Sequence, residues 1–287
     1  MEIKLESKEL IVSISEYGAE LKSIYNKITQ KELLWQADPE IWGRTSPILF
    51  PIVGRLKNDE YIHNNITYSL KQHGFARDQV FNYSIIDNNQ IEFSFKSNLE
   101  TLKIYPFIFE IKINYTLNDS ELLIKYEILN KDNQPIIFSF GTHPGFCIND
   151  TFENSKLYFD HIENERHLLT NGLFNSEIEA LEINNNCLIL KQEYFDKDAI
   201  VFKGTLNSQI IWEKQNGQKF MRLKHKGFTD LGIWTQKGQN KFLCLEPWAG
   251  FADSEKGNYN NELINKAGIR SLAIGKSYKA EIEMEFY

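Results

Sequence analysis

Two side chains in this sequence, Glu246 and His143, join a titratable group to turn residues at the end of an apolar run, and a third, His73, lies beside a glycine. Glu246 closes Phe242-Leu-Cys-Leu245 and is followed at once by Pro247 and Trp248. His143 sits in Gly141-Thr-His-Pro-Gly145, and His73 precedes Gly74 in Gln72-His-Gly-Phe-Ala-Arg77. The residues before Glu246 read as a buried strand, and Pro247, unable to donate to a ladder, predicts that the strand stops at or near Glu246. A carboxylate there, beside an indole face, loses solvation; that raises its pKa and makes it a proton acceptor useful near neutral pH. The plainer reading is a surface glutamate at the mouth of a turn. Two arginines lie close to these motifs. Arg55 ends an apolar segment, Ser46 to Leu56, whose Pro47, Pro51 and Gly54 exclude a helix interior or a central strand. Arg77 is followed by Asp78, which invites an ion pair.

These groups must be positioned by strands. Period-2 alternation is strong at Ile91, Phe93 and Phe95, at Ile111, Ile113, Tyr115 and Leu117, and at Leu122, Ile124, Tyr126 and Ile128. Asn118-Asp-Ser120 joins the last two as a hairpin loop. Ile136 to Phe140 is a strand that runs into the His143 motif. Asn216-Gly217, between Ile210-Ile-Trp212 and Phe220-Met-Arg-Leu223, marks another hairpin. Lys197-Asp-Ala-Ile-Val-Phe202 puts Asp198 just before a strand. Leu231-Gly-Ile-Trp234 and an alternating run from Tyr278 to Phe286 complete the set. Ala37 to Trp42 reads as a turn with Asp38 as cap before Pro39. No stretch sustains a helical period over three turns, and neither a linker nor a repeat interrupts residues 1–287. The expected fold is all-β, one domain of two packed sheets.

Composition narrows the partners. The chain has 287 residues and a formal net charge of −7, which argues against nucleic acid. Aromatic residues are abundant, with 20 Phe and 13 Tyr, as suits pleated, half-buried surfaces. The N-terminus alternates apolar and charged residues without a signal-peptide core, and no segment approaches the roughly 20 apolar residues that span a bilayer. Cys147, Cys187 and Cys244 are odd in number and widely spaced; they read as cytoplasmic thiols, neither disulfides nor zinc ligands. His63, His161, His167 and His225 read as ordinary core or surface histidines.

Four stretches taken in order, Leu49-Phe-Pro-Ile-Val-Gly-Arg55, Gln72-His-Gly-Phe-Ala-Arg77, Gly141-Thr-His-Pro-Gly-Phe146 and Cys244-Leu-Glu-Pro-Trp248, give the chain a resemblance to the aldose 1-epimerase (galactose mutarotase-like) superfamily, and within it to the LacX-type branch. The resemblance spans essentially the whole chain. It implies a β-supersandwich of large antiparallel sheets with an open, metal-free sugar cleft and no cofactor. It implies Glu246 as general base, His143 as general acid, His73 as a second imidazole holding the ring oxygen or a hydroxyl, and Arg55 and Asp198 as hydroxyl contacts. Family members acting on hexose 6-phosphates also carry His-Gly-Phe-X-Arg, so Arg77 is a candidate phosphate contact, since a guanidinium fork suits that geometry. Trp234 and Trp248 offer flat faces that stack on a pyranose; core packing accounts for a tryptophan equally well. The expected partner is a small sugar or sugar phosphate, bound by a monomer or homodimer that touches neither nucleic acid nor membrane.

The implied reaction interconverts α and β anomers. It needs one proton taken from the C1 hydroxyl and one given to the ring oxygen, then rotation and the reverse transfers, with no nucleophile, metal or redox cofactor. Two other readings compete. A sugar-binding or sensing protein would keep the cleft without turnover. A glycoside hydrolase would pair Glu246 with Asp198 or Asp253, and an imidazole acid would then be superfluous.

Overall fold

The computed structural model describes residues 1–148, 152–153, 155–205, 207–256 and 260–287. Almost every regular element in it is an antiparallel strand. Glu2–Glu6, Leu10–Ser15, Leu21–Asn26 and Lys31–Glu32 form a four-stranded sheet. Ten strands make the largest sheet, running in space from Ile183–Asn184 through Lys219–Lys226, Ser277–Phe286, Glu121–Asn130 and Phe109–Asn118 to an edge at Asn82–Asp87. A six-stranded sheet takes the order Ile200–Phe202, Asp230–Trp234, Phe242–Ala249, Phe140–Thr142, Ile48–Leu49, with Gly145–Cys147 also paired to Phe242–Ala249. The described residues include one α-helix, Leu99–Ile104, capped by Asn98, and no helix among them is long and apolar enough to cross a membrane.

The alternation in the sequence is the alternation of faces. Along Phe109–Asn118 and Glu121–Asn130, residues Ile111, Ile113, Tyr115, Leu122, Ile124 and Tyr126 point inward and are buried, while Lys112, Asn114, Lys125 and Glu127 face out. The loop between them is two residues, Asp119-Ser120, with Asp119 at φ 43°. Asn171-Gly172 makes another two-residue turn at φ 52° and 78°, the twist that a tight hairpin needs.

The six-stranded sheet divides its side chains between two tasks. Leu231, Ile233, Leu243 and Leu245 pack into the main core, which runs from Ile3 to Phe286. Their neighbours on the opposite face, Gly232, Trp234, Cys244, Glu246 and Trp248, meet smaller clusters built around Trp248 and around Trp35 and Phe242. One face stabilises the fold; the other walls a cavity.

The strand does not end at Glu246. It continues through Pro247 to Ala249, with Gly232 opposite Glu246 and Leu231 opposite Pro247. Residues 246 and 248 turn their backbone groups toward Asp230–Trp234, as the bond from Thr229 N–H to the Trp248 carbonyl shows. Leu245 and Pro247 therefore face the other neighbour, where Leu245 N–H donates to the Pro144 carbonyl. That side is interrupted at Thr142–Pro144, between the pairings at Cys244 and at Trp248. Pro247 thus falls where no ladder bond is required, and the rule that proline ends a central strand does not apply.

Candidate active site

The same interruption brings His143 to Glu246. Where the neighbouring chain leaves the ladder at Thr142–Pro144, the His143 imidazole turns toward the carboxyl group, with Nε2 3.2 Å from Glu246 Oε2. His143 is 8% exposed and Glu246 1%. Neither His143 Nδ1 nor Glu246 Oε2 makes a hydrogen bond within the chain, a costly condition for buried polar atoms. Burial lowers the His143 pKa to about 3. Burial, reinforced by the Asp198 charge and opposed by the Trp248 indole N–H, raises Glu246 well above the usual carboxylate range.

Both side chains line a cavity of about 250 Å³. That lies just below the roughly 300–1,000 Å³ of ordinary ligand pockets, a size for one small ring rather than a dinucleotide. Trp248 forms part of its wall, lying across two glycines: a Cβ on Gly141 would come within 2.6 Å of the indole, and one on Gly232 within 2.5 Å. Trp42 stacks on the His143 ring with centroids 4.8 Å apart, and Trp234 meets the same ring edge-on at 5.7 Å. The chain thus presents aromatic faces at right angles around the His143–Glu246 pair.

His73, at φ 67°, faces His143 edge-on with ring centroids 5.8 Å apart. Its Nδ1 accepts from the Gly54 N–H at 3.1 Å. An imidazole nitrogen that accepts carries no proton, so a neutral His73 holds its proton on Nε2 and serves as a donor. Burial, with the nearby His143, Arg77 and Arg44, holds its pKa well below the ordinary value, which keeps it neutral. The following Gly74 is obligatory: at φ 67°, a Cβ would sit 2.3 Å from the Phe50 carbonyl oxygen.

The two arginines part company. Arg77 lines the cavity and gives one bond to the Gln72 carbonyl at 2.8 Å, while its buried Nε has no hydrogen-bond partner. Asp78 pairs instead with Arg44 at 2.7 Å. Arg55 lies outside the lining, which includes its neighbour Gly54. Its Nε and Nη2 donate to the two carboxylate oxygens of Asp59 at 2.8 Å each, and Nη1 donates to the Asn171 carbonyl at 3.3 Å. The expected hydroxyl contact from Arg55 is replaced by a brace between Asp59 and the Asn171-Gly172 turn.

Asp198 lines the cavity from the residue before Ala199, in the left-handed region at φ 72°, and accepts from the Ala199 N–H at 2.9 Å. Although its side chain reaches solvent in the cavity, the surrounding protein strips part of its hydration and raises its pKa. Asp253 is buried elsewhere, accepting from the Lys57 N–H at 3.1 Å, and is not in the lining. Sequence reasoning missed Trp42, Gly172 and Phe174, all in the lining. Trp42 follows the Asp38 turn without any titratable neighbour in a motif, so its local sequence carries no sign of the stack on His143.

The aldose 1-epimerase family model matches residues 1–284. The chain belongs to the aldose 1-epimerase family. It is 30% identical over 273 residues to the chromosomal protein LacX of Lactococcus lactis subsp. lactis, covering 90% of this chain and 91% of that protein. A galactose mutarotase related enzyme from Lactobacillus acidophilus superposes with a TM-score of 0.91 at 32% identity, covering 100% of this chain and 97% of that one. A galactose mutarotase-like protein from Lactobacillus casei superposes at 0.93 with 26% identity over the whole of both chains. The fold is the galactose mutarotase-like sandwich. Membership supports an isomerase-type enzyme with general epimerase or mutarotase chemistry and a small sugar as ligand.

Proposed function

We propose that this protein is a mutarotase for an aldohexose or its 6-phosphate, with Glu246 as general base and His143 as general acid. The observation that carries this reading is the 3.2 Å approach of His143 Nε2 to Glu246 Oε2 in the wall of a cavity of monosaccharide size. The carboxylate takes the C1 hydroxyl proton while the imidazolium protonates the ring oxygen. The C1–O5 bond opens, rotation about C1–C2 exchanges the faces of the aldehyde, and closure returns both protons. Assistance of this kind is worth on the order of 10²–10⁴ in rate per group.

Burial shapes the energetics of these transfers. The pair holds one proton before and after ring opening: first as carboxylate and imidazolium, then as carboxylic acid and neutral imidazole. Low dielectric disfavours the charged tautomer, consistent with the opposed pKa directions of the two groups. Opening therefore converts a strained ion pair into the neutral pair that the buried site prefers. Forming that ion pair from the resting neutral pair costs free energy first, so the barrier to opening includes both steps.

The remaining lining residues hold the sugar. His73 donates from Nε2, Asp198 accepts from hydroxyls, and Trp248 and Trp234 supply apolar faces for a pyranose. The free Nε of Arg77 supports an oxyanion on the substrate, and a hexose 6-phosphate satisfies it.

Polarimetry or NMR exchange on freshly dissolved α-glucose, α-galactose and their 6-phosphates tests the proposal. Acceleration over the buffer rate, lost in Glu246→Gln and His143→Asn, is the expected result. Protein that leaves every sugar at its spontaneous rate, while calorimetry shows saturable binding, would replace catalysis with sugar sensing.

A further inference from the structure

The proton chemistry of the pair leaves Cys244 unexplained. Its thiol lies on the same strand face as Glu246, two residues away, and is fully buried. One donor atom each from His143, Cys244 and Glu246 lie within 4.8 Å of one another, the one such group among the described residues. We propose that these three side chains form an inhibitory site for a borderline-soft divalent cation such as Zn²⁺, occupied in competition with the sugar.

The donor set and its dimensions fit this class of ion. Zn²⁺ takes imidazole nitrogen and carboxylate oxygen at about 2.0–2.2 Å, so two such donors at tetrahedral angles stand roughly 3.3 Å apart. His143 Nε2 and Glu246 Oε2 are already 3.2 Å apart. Cys244 Sγ, within 4.8 Å of the other two donor atoms, supplies the third protein ligand, leaving the fourth position for water or substrate, as in catalytic zinc sites. Charge balances once binding has displaced the Cys244 thiol proton, and any proton on Glu246, to solvent: the resulting thiolate and carboxylate neutralise a dication in a place where an uncompensated charge is costly. Hard ions such as Mg²⁺ and Ca²⁺ demand six or more oxygen ligands, which this site does not offer.

Glu246 Oε2 is buried without a hydrogen bond, so an ion there gives a lone oxygen its missing partner. The outer shell is incomplete, however. His143 Nδ1 also lacks a partner, and ligating histidines normally anchor their second nitrogen. The site is therefore expected to be weaker by roughly 10- to 100-fold than one with that anchor, and reversible by chelator. This is a brake on the enzyme rather than a structural metal. The ion would hold the lone pairs of both groups that move protons in the proposed reaction, so the kinetic half of this inference rests on that reading; the binding half does not.

Titration of the full-length protein with Co²⁺ tests the binding half directly. The expected result is a sulfur-to-cobalt charge-transfer band that Zn²⁺ displaces at one equivalent, and that is absent in Cys244→Ser. Calorimetry should show Zn²⁺ binding Cys244→Ser at least about tenfold more weakly, in line with loss of one ligand of three, with circular dichroism verifying that the variant is folded. On the wild-type enzyme, Zn²⁺ should raise the apparent KM for sugar, and chelator should restore it. No thiolate band with Co²⁺, or equal Zn²⁺ affinity in wild type and Cys244→Ser, would overturn the site. A band without any sugar turnover would leave the metal site standing and remove the mutarotase reading instead.

Discussion

Glu246 and Asp198 line the same cavity, yet the chain prepares them in opposite ways. Glu246 projects from the middle of an eight-residue strand, is 1% exposed, and meets His143 Nε2 at 3.2 Å. Asp198 stands just outside a three-residue strand, exposed at the cavity, held by its own backbone at φ 72° and by the Ala199 N–H. Rigid ladders with a dry environment suit a group that must exchange a proton at a fixed distance. A loop residue in contact with solvent suits one that grips a hydroxyl and releases it. The two carboxylates also communicate, because the Asp198 charge helps to raise the Glu246 pKa.

The severest challenge to this division is Glu246→Gln. It keeps the shape and removes the proposed base, so kcat should fall by on the order of 10²–10⁴ with KM little changed. A variant that loses affinity and keeps kcat would show that Glu246 only binds. Gly232→Ala attacks the surroundings of the pair rather than the pair itself. Its Cβ would lie 2.5 Å from the Trp248 ring, and the indole must tilt off the sheet. Overpacking of that kind costs about 1–3 kcal/mol, visible as a lower Tm together with a raised KM. An unchanged KM would remove Trp248 from the sugar's wall.

Asp198→Asn probes the other carboxylate. Exchanging a charged acceptor for a neutral one should raise KM by roughly tenfold, the value of about 1.4 kcal/mol, and affect kcat less. It should also move the pH profile. The pair is active with one proton; the second arrives only as pH falls toward the His143 value of about 3, and the one it holds leaves only above the raised pKa of Glu246. Wild-type kcat/KM should therefore show no acid limb at the ordinary imidazole pKa of about 6.5, and its alkaline limb should lie above the ordinary carboxylate range. In Asp198→Asn the like charge is gone, Glu246 ionises more readily, and the alkaline limb should shift to lower pH. A limb that stays in place would mean that the two carboxylates do not interact.

How far the sequence reveals this arrangement depends on range. Strand positions were legible wherever one face is wet, as at Ile111, Ile113 and Tyr115 against Lys112 and Asn114, because burial writes a period of two. It was less legible at Phe242–Ala249, where all eight residues are buried and the pattern vanishes. There proline alone predicts a stop, and only the neighbouring strand's departure at Thr142–Pro144 explains why Pro247 is accommodated. The candidate pair stood out through its motifs. Trp42 and the glycine bed of Trp248 did not, since stacking between distant segments leaves no local mark. Arg55 and Arg77 look alike in sequence because each follows a glycine-containing motif; what separates them is Asp59, four residues after Arg55, whose carboxylate the turn at Lys57–Asp59 brings onto the Arg55 guanidinium.

The arginine pair gives the finest version of the same contrast, between a group committed to the scaffold and one proposed to meet the ligand. Arg77→Ala should raise KM for a hexose 6-phosphate by roughly tenfold or more while leaving free hexoses nearly unaffected, because charge-assisted bonds contribute about 1.5–3 kcal/mol and only the phosphate draws on them. Equal losses for both sugars would assign Arg77 to a hydroxyl. Arg55→Ala should have the smallest effect of all. Its ion pair with Asp59 is solvent-exposed at 40% and 38%, and such pairs contribute about 0–1 kcal/mol. The expected outcome is a Tm shift of a few degrees at most and a KM within about twofold of wild type, since such a loss of scaffold energy reaches the sugar only through the Asn171-Gly172 turn. A KM change as large as that of Asp198→Asn would put the Arg55 guanidinium back among the groups that hold the sugar, and would require the Asp59 bonds to open when substrate arrives.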